Sequence, residues 1–306
     1  MFWLPAIFHF KHLGDMTIDY IVPMIFPIDA EWQRSWRRAS GNALIDDAQL
    51  LARYRTWCTE HLLIRCVRRF MPWLNQIIIL LAQPSQVQPW MQQEGVRVVF
   101  HADFIPQQYL PTFNSCTIEI FLHRIEGLSD YFIYGNDDMF PLAPLQEDDF
   151  FQHYLPCLQM SPRQFPSPLN QFHVVCANGQ RLAADAAGVP HPHFWMHTGH
   201  SIVPMVKSTY QKLWQKYQKP LADSITQFRS SRNYNQYLFL WYQYLSGQYA
   251  NHVPQRQYVS SKEGAEALRM AIRSAGGILC INDHDATHDI TQLSQIAQQE
   301  ISKRLV

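Results

Sequence analysis

The chain has 306 residues, 47% apolar and 16% charged, a balance that supports a folded core and excludes an intrinsically disordered protein. Lys plus Arg and Asp plus Glu number 25 each, so no net basic field argues for a nucleic-acid partner. Six scattered cysteines without a CxxC pair read as reduced thiols. No apolar run approaches the roughly 20 residues that span a bilayer, so the expectation is a cytoplasmic protein.

In chain order, the opening MFWLPAIFHF lacks a basic leader and a cleavage site; it reads as a surface-docking segment or as lying upstream of a start at Met16. Ile18 to Ile25 predicts a buried first strand in which Pro23 marks an edge or a bulge. Asp29, just before Glu31 and Trp32, is placed to cap a helix. From Asp46 to Phe70 the apolar residues recur at helical spacing (Leu50, Leu51, Tyr54, Trp57, Leu62, Cys66), and Arg53, Arg55, Arg65, Arg68 and Arg69 form a basic face of the solvated kind. Ile77–Leu81 and Val96–Phe100 read as parallel strands of a β-α-β unit. Asn114 and Ser115 are good caps for a helix with a buried stripe of Ile118, Leu122 and Ile125, and its N-terminus would seat a diphosphate. Glu119 and His123 share another face, which a structural pair explains as well as substrate binding does.

Tyr131–Tyr134 is a short apolar strand broken by Gly135 and Asn136, with Asp137 and Asp138 directly after. Open α/β sheets bind ligands at the carboxyl ends of their strands, and paired hard oxygens there suit Mg²⁺ or Mn²⁺. A bare Asn-Asp-Asp also serves as a solvated turn. Residues 141–199 are rich in proline and weakly periodic, which reads as an insertion or lid. Within it Glu147, Asp148 and Asp149 read as a solvated turn, and His191, His193, His197 and His200 match no closed zinc set. Val206 to Tyr217 predicts an amphipathic helix ending at Pro220, with Lys207, Lys212 and Lys216 on its exposed sides. Tyr237–Tyr244 reads as helix core. Gly276 to Asp283 predicts a last strand whose Asn282-Asp283 end would share a cation with the first carboxylates. A polar helix follows over 286–306. No internal repeat and no glycine-rich phosphate loop is evident, so the expectation is one α/β domain over 1–306.

The segments Leu110–Ser115, Ile118-Glu119, Leu122–Ile125, Gly127–Ser129 and Phe132–Phe140 resemble the second conserved region of the Stealth family, bacterial capsule and exopolysaccharide phosphotransferases related to the animal N-acetylglucosamine-1-phosphotransferase. Ile18–Trp32 is similar to the first region, with Asp29 and Trp32 matching and Met24 and Phe26 departing. Gly199–Ser208 is similar to the third region and Thr226–Phe239 to the fourth, where Asn233 replaces the usual Asp; Cys280–Asp283 matches the closing Cys-Ile-Asn-Asp.

The resemblance implies a mainly parallel, nucleotide-sugar glycosyltransferase-like sheet and transfer of a sugar 1-phosphate from a nucleotide-sugar, UDP-linked by expectation, to an acceptor saccharide. It implies catalytic roles for His200 as general base and for Asp138 and Arg229, with Asp137, Asp138 and Asp283 holding Mg²⁺ or Mn²⁺. Substrate contacts are expected from Asp29, Arg65, Asn114, Ser115, Glu119, Asn136, Lys207 and Asn233. Peripheral association with polysaccharide assembly machinery at the inner face of the membrane goes with that reading. Two alternatives stand beside it: a metal-dependent glycosyltransferase that releases a nucleoside diphosphate, and a non-catalytic assembly protein.

Overall fold

The computed structural model describes residues 16–41, 53–284 and 289–306. The expectations for the opening segment, for Leu50 and Leu51, and for the first residues of the 286–306 helix lie outside the described residues.

The chain runs through β1 (Ile18–Pro23), α1 (Ala30–Ala39), α2 (Glu60–Phe70), β2 (Ile77–Leu81), β3 (Val96–Phe100), α3 (Ser115–Ile120) and β4 (Tyr131–Tyr134). It continues with β5 (Met139–Pro141), β6 (Ser161–Arg163), α4 (Gln171–Ala187), β7 (Trp195–His197) and β8 (Val203–Val206). Last come α5 (Lys207–Asp223), α6 (Tyr237–Leu245), β9 (Arg256–Ser260), α7 (Gly264–Ser274), β10 (Ile278–Asn282) and α8 (Ile290–Arg304). Five strands form a sheet in the order β8-β4-β1-β2-β3, parallel except for β8. A second sheet is ordered β9-β10-β5, with β9 parallel and β5 antiparallel to β10. The fold class is α/β with a mainly parallel main sheet, as expected.

Strand alternation divides the main core. Tyr20, Val22, Ile77, Ile79, Leu81 and Ile133 face one apolar cluster, while Ile21, Ile78, Leu80, Phe132 and Tyr134 face the other. Both faces are covered, which is why β2 reads as an unbroken apolar run. Asp19, fully buried, fixes the start of β1 by accepting from Asn75 Nδ2 (2.8 Å), Gln76 Nε2 (3.1 Å) and the Ser129 amide (2.8 Å).

Several expectations change. Pro23 marks no edge: β1 is the central strand, Pro23 is its last residue, and the next amide, Met24 N, bonds Leu80 O at 3.0 Å. The continuous helix expected up to Phe70 is interrupted: residues 53–54 are helical, residues 55–59 are irregular with Cys58 at a φ of 55°, and α2 begins at Glu60. α3 ends at Ile120 and a 3₁₀ turn takes Leu122–Arg124, so Glu119 and His123 do not pair. Glu119 accepts from Tyr134 Oη, while the His123 ring packs on Tyr210 and Trp214. α5 passes Pro220 by kinking at Tyr217 (φ −122°, ψ 35°), which puts the proline in the first turn of the second segment, where a missing N–H is harmless. Within 141–199, α4 lies against α6 so closely that a Cβ on Gly179 would sit 2.9 Å from Trp241.

Candidate active site

β4 and β5 belong to different sheets and are joined by the turn Gly135–Asp138 alone. Gly135 is required there, since a Cβ would lie 2.4 Å from the hydroxyl of buried Tyr20. On the far side the Ile281 amide of β10 donates to the Asp138 carbonyl at 2.8 Å, so both sheets hold the turn. The turn opens into a pocket of about 830 Å³, within the usual range for small-ligand sites.

Asp138 divides its two carboxylate oxygens. Oδ2 accepts from His200 Nε2 (3.4 Å) and lies 3.5 Å from the Cys280 thiol, whereas Oδ1 is buried with no partner. Burial, then the neighbouring Asp138 and Glu60 carboxylates, push the Asp137 carboxyl up to about 8. An orphaned buried oxygen beside a carboxyl that resists ionisation is a site with unmet need for positive charge. The unpartnered Asp138 oxygen therefore fits a cation, and Asp138, His200 and Cys280 bring ligand-type atoms within 4.8 Å of one another. Asp283 is differently engaged: Arg55 grips both of its oxygens, and Trp57 Nε1 donates to Oδ2 at 3.1 Å.

His200 sits between β7 and β8, with its Nδ1 3.5 Å from the Tyr237 hydroxyl. Burial alone would lower its pKa, but the Asp138 hydrogen bond and charge outweigh this and raise it above the usual histidine value. With Nε2 donating to Asp138, Nδ1 carries the lone pair and can accept a proton from the pocket. Glu119 also lines the pocket, accepting from the Gln236 amide (3.1 Å) and Tyr134 Oη (3.4 Å); burial above all raises its carboxyl to about 7.

The cationic wall comes from two segments far apart in sequence, a helical end at Arg53 and the loop at Arg229. Arg229 Nη2 donates to Ser115 Oγ at 2.7 Å, and Arg53 lies close enough for its pKa to be lowered, by burial first and by the Arg229 charge second. Two guanidiniums side by side want an anion. The Arg229 loop is held by a buried amide pair. Asn114 Nδ2 donates to Asn233 Oδ1 (3.1 Å) and Thr226 O (3.0 Å), and Asn233 Nδ2 donates to Ser224 O (2.6 Å) and Thr226 Oγ1 (2.8 Å).

Of the residues singled out in the sequence, the pocket gathers Ser115, Glu119, Asn136, Asp137, Asp138, His200, Arg229 and Asp283. It does not gather the others. Asp29 caps α1, accepting from the Trp32 amide at 2.7 Å; Arg65 stands exposed on α2; and Lys207 donates to Leu128 O at 3.0 Å. Asn114 and Asn233 work one step behind the wall, as the clamp just described. The pocket adds Arg53, Arg55, Tyr237 and Asn235. Adjacent arginines were visible in the sequence, but helical periodicity had assigned them to a solvated face.

The family model for Stealth protein CR2, conserved region 2, matches residues 53–157. The capsular polysaccharide phosphotransferase LcbA of Neisseria meningitidis is 30% identical over 252 residues, covering 77% of this chain and 67% of its own length. WcwK of Streptococcus pneumoniae, a capsular polysaccharide phosphotransferase, is 28% identical over 320 residues and covers 93% of this chain and 95% of its own. The capsular polysaccharide phosphotransferase cps1A of Actinobacillus pleuropneumoniae is 28% identical over 251 residues, covering 77% and 67%. Among solved structures, the galactosyltransferase LgtC with donor and acceptor sugar analogues overlaps 92% of this chain and 95% of its own, at 9% identity and a TM-score of 0.39.

Proposed function

The chain belongs to the Stealth family of capsular polysaccharide phosphotransferases, and from that membership we propose that it moves a sugar 1-phosphate from a UDP-sugar to a hydroxyl of an acceptor glycan during polysaccharide synthesis. The observation that carries this reading is the meeting, in one pocket, of the Asp138–His200 pair with the Arg53–Arg229 wall. A proton acceptor beside an anion-binding wall is what in-line phosphoryl transfer requires.

Arg229 and Arg53 take the phosphate oxygens of the donor and hold the sugar-bearing phosphorus in reach of His200. Asp138 orients the imidazole through Nε2, and Nδ1 removes the proton of the acceptor hydroxyl. That oxygen bonds to the sugar-bearing phosphorus as the bond from phosphorus to the bridging oxygen breaks, giving a phosphodiester and UMP. Asp137 and Asp138, through its unpartnered Oδ1, would hold Mg²⁺ or Mn²⁺, which supplies neutralisation of diphosphate charge when bound. Arg55 keeps Asp283 as an ion pair on the pocket wall.

No helix among the described residues is long and apolar enough to cross a membrane. All six cysteines are free thiols, which suits a reducing setting, and the reaction is proposed to run at the inner membrane face where an assembling glycan is handled. The decisive test identifies the nucleotide released from a panel of nucleotide-sugars by wild type and by His200→Ala. Acceptor-dependent UMP, lost in the variant while UDP still raises its Tm, is the expected result. UDP as the released product would replace this reading with glycosyl transfer.

A further inference from the structure

We propose that an aromatic shelf made by Phe165, Phe172 and Trp195 is a subsite for the acceptor saccharide, binding the sugar unit next to the one that reacts. It rests on the reaction proposed above and extends it to the acceptor chain. Phe172 stands in the first turn of α4, 44% exposed, and lines the pocket beside Asn170. Phe172 continues the buried stripe of α4 (Val175, Cys176, Gly179, Ala183) out to the pocket mouth, where its ring remains partly in solvent. Its ring meets Trp195 of β7 edge-on at 6.2 Å, and Phe165 stacks on Trp195 at 6.1 Å with 21° between the planes. His173 and His197 brace Trp195 from its sides at 4.9 and 4.7 Å.

The shelf is continuous with the site. Phe172 lies 6.3 Å from Tyr237, whose hydroxyl is 3.5 Å from His200 Nδ1. It therefore begins one ring away from the atom that takes the acceptor's proton. In an in-line displacement the nucleotide leaves on the side of phosphorus opposite the attacking hydroxyl, so a platform reached through the base belongs to the acceptor and not to the nucleobase. The exposed ring of Phe172, backed by the partly buried Trp195 and Phe165, suits the apolar C–H face of a pyranose while the sugar's hydroxyls stay in water. An exposed apolar patch at the mouth of a polar pocket is thereby explained.

The test uses the intact chain with lactose, maltotriose, cellotriose and chitotriose as probes at millimolar concentration, read by tryptophan fluorescence and saturation-transfer NMR without donor. Wild type is expected to respond to at least one sugar. Phe172→Ala should bind it about tenfold more weakly, and Phe172→Tyr should restore binding. Trp195→Phe should lose the fluorescence change and keep saturation transfer. The thermal shift with UDP and Mg²⁺ should be the same in all variants, which also reports that they fold. Because no turnover is needed, failure of the transfer reaction does not decide this experiment. No response of wild type to any of the four sugars would overturn the proposal, as would unchanged affinity in Phe172→Ala. Loss of the UDP shift in Phe172→Ala would reassign the shelf to the nucleobase. A wild-type dimer that dissociates in Phe172→Ala, with the sugar response intact, would reassign it to a second copy of the chain.

Discussion

At the scale of single residues, the site is a set of groups held in states they would not adopt in water. Burial holds the Asp137 carboxyl up to about 8 and leaves one Asp138 oxygen without a partner, and in the proposed reaction a cation meets both. Asp137→Asn and Asp138→Asn are therefore expected to abolish the Mg²⁺-dependent part of the thermal shift given by UDP, while Asp283→Asn leaves it in place; calorimetric titration of Mg²⁺ checks the same ranking. Glu119 makes a prediction in pH. Its folded pKa of about 7 lies above the ordinary carboxyl value of 4.5, so the folded chain holds a proton that the unfolded chain has released between those values. Its contribution to stability is full below about 4.5 and is lost as pH rises through about 7. Glu119→Gln should thus gain in Tm relative to wild type as pH goes up through that window, and a difference that does not move with pH would count against the buried neutral carboxyl. Asn233 shows why a familiar acid need not be kept. Its amide donates to Ser224 O and Thr226 Oγ1 and its oxygen accepts from the Ser230 amide and Asn114. Asn233→Asp would turn two donors into acceptors facing acceptors, at a cost of about 1–3 kcal/mol in urea denaturation.

At the scale of elements, what could be read from the sequence depended on whether local chemistry decided the local structure. β2 was legible because a parallel strand buried on both faces is apolar throughout, and β3, at the sheet edge and only partly buried, because its valines still mark a strand around Arg97. The carboxylates of the Gly135–Asp138 turn were legible for the same reason, following a short apolar strand. The arginines were not. Residues 53–70 keep helical spacing across a break that contains neither proline nor glycine, with Cys58 carrying the positive φ that ends the pattern. So Arg53, at the end of a helical stretch, and Arg55, in the irregular chain after it, reach the pocket, while Arg65 stays on the solvated side of α2. Asp29 and Asn114 each had a capping role available, and the structure uses it. α4 offers an element-scale test. Gly179→Val would press on Trp241 of α6, which donates Nε1 to Met196 O at 2.8 Å, and should lower stability by about 1–3 kcal/mol in urea denaturation.

At the scale of the whole molecule, the site lies where the two sheets meet, and no local pattern announces that. The sequence shows strands ending in Asn-Asp-Asp and in Asn-Asp; only the assembled fold shows that the first end is locked by the Ile281 amide and that the second is taken by Arg55. The lock predicts that ligand binding is felt on both sides. Adding UDP and Mg²⁺ should slow amide exchange at Ile281 of β10 as well as along β4, and protection confined to the five-stranded sheet would contradict it.

The same lock has a consequence for how the enzyme comes into being. β4 and the acidic turn leave the ribosome early, but the strand whose amide fixes Asp138 is β10, made some 140 residues later by the span from 138 to 281. A growing chain can therefore pair β1, β2, β3 and β4 while its acidic turn is still anchored on one side only. The second anchor is set only when β10 docks on β5, so the acidic turn takes its final geometry after the strand that carries it has paired.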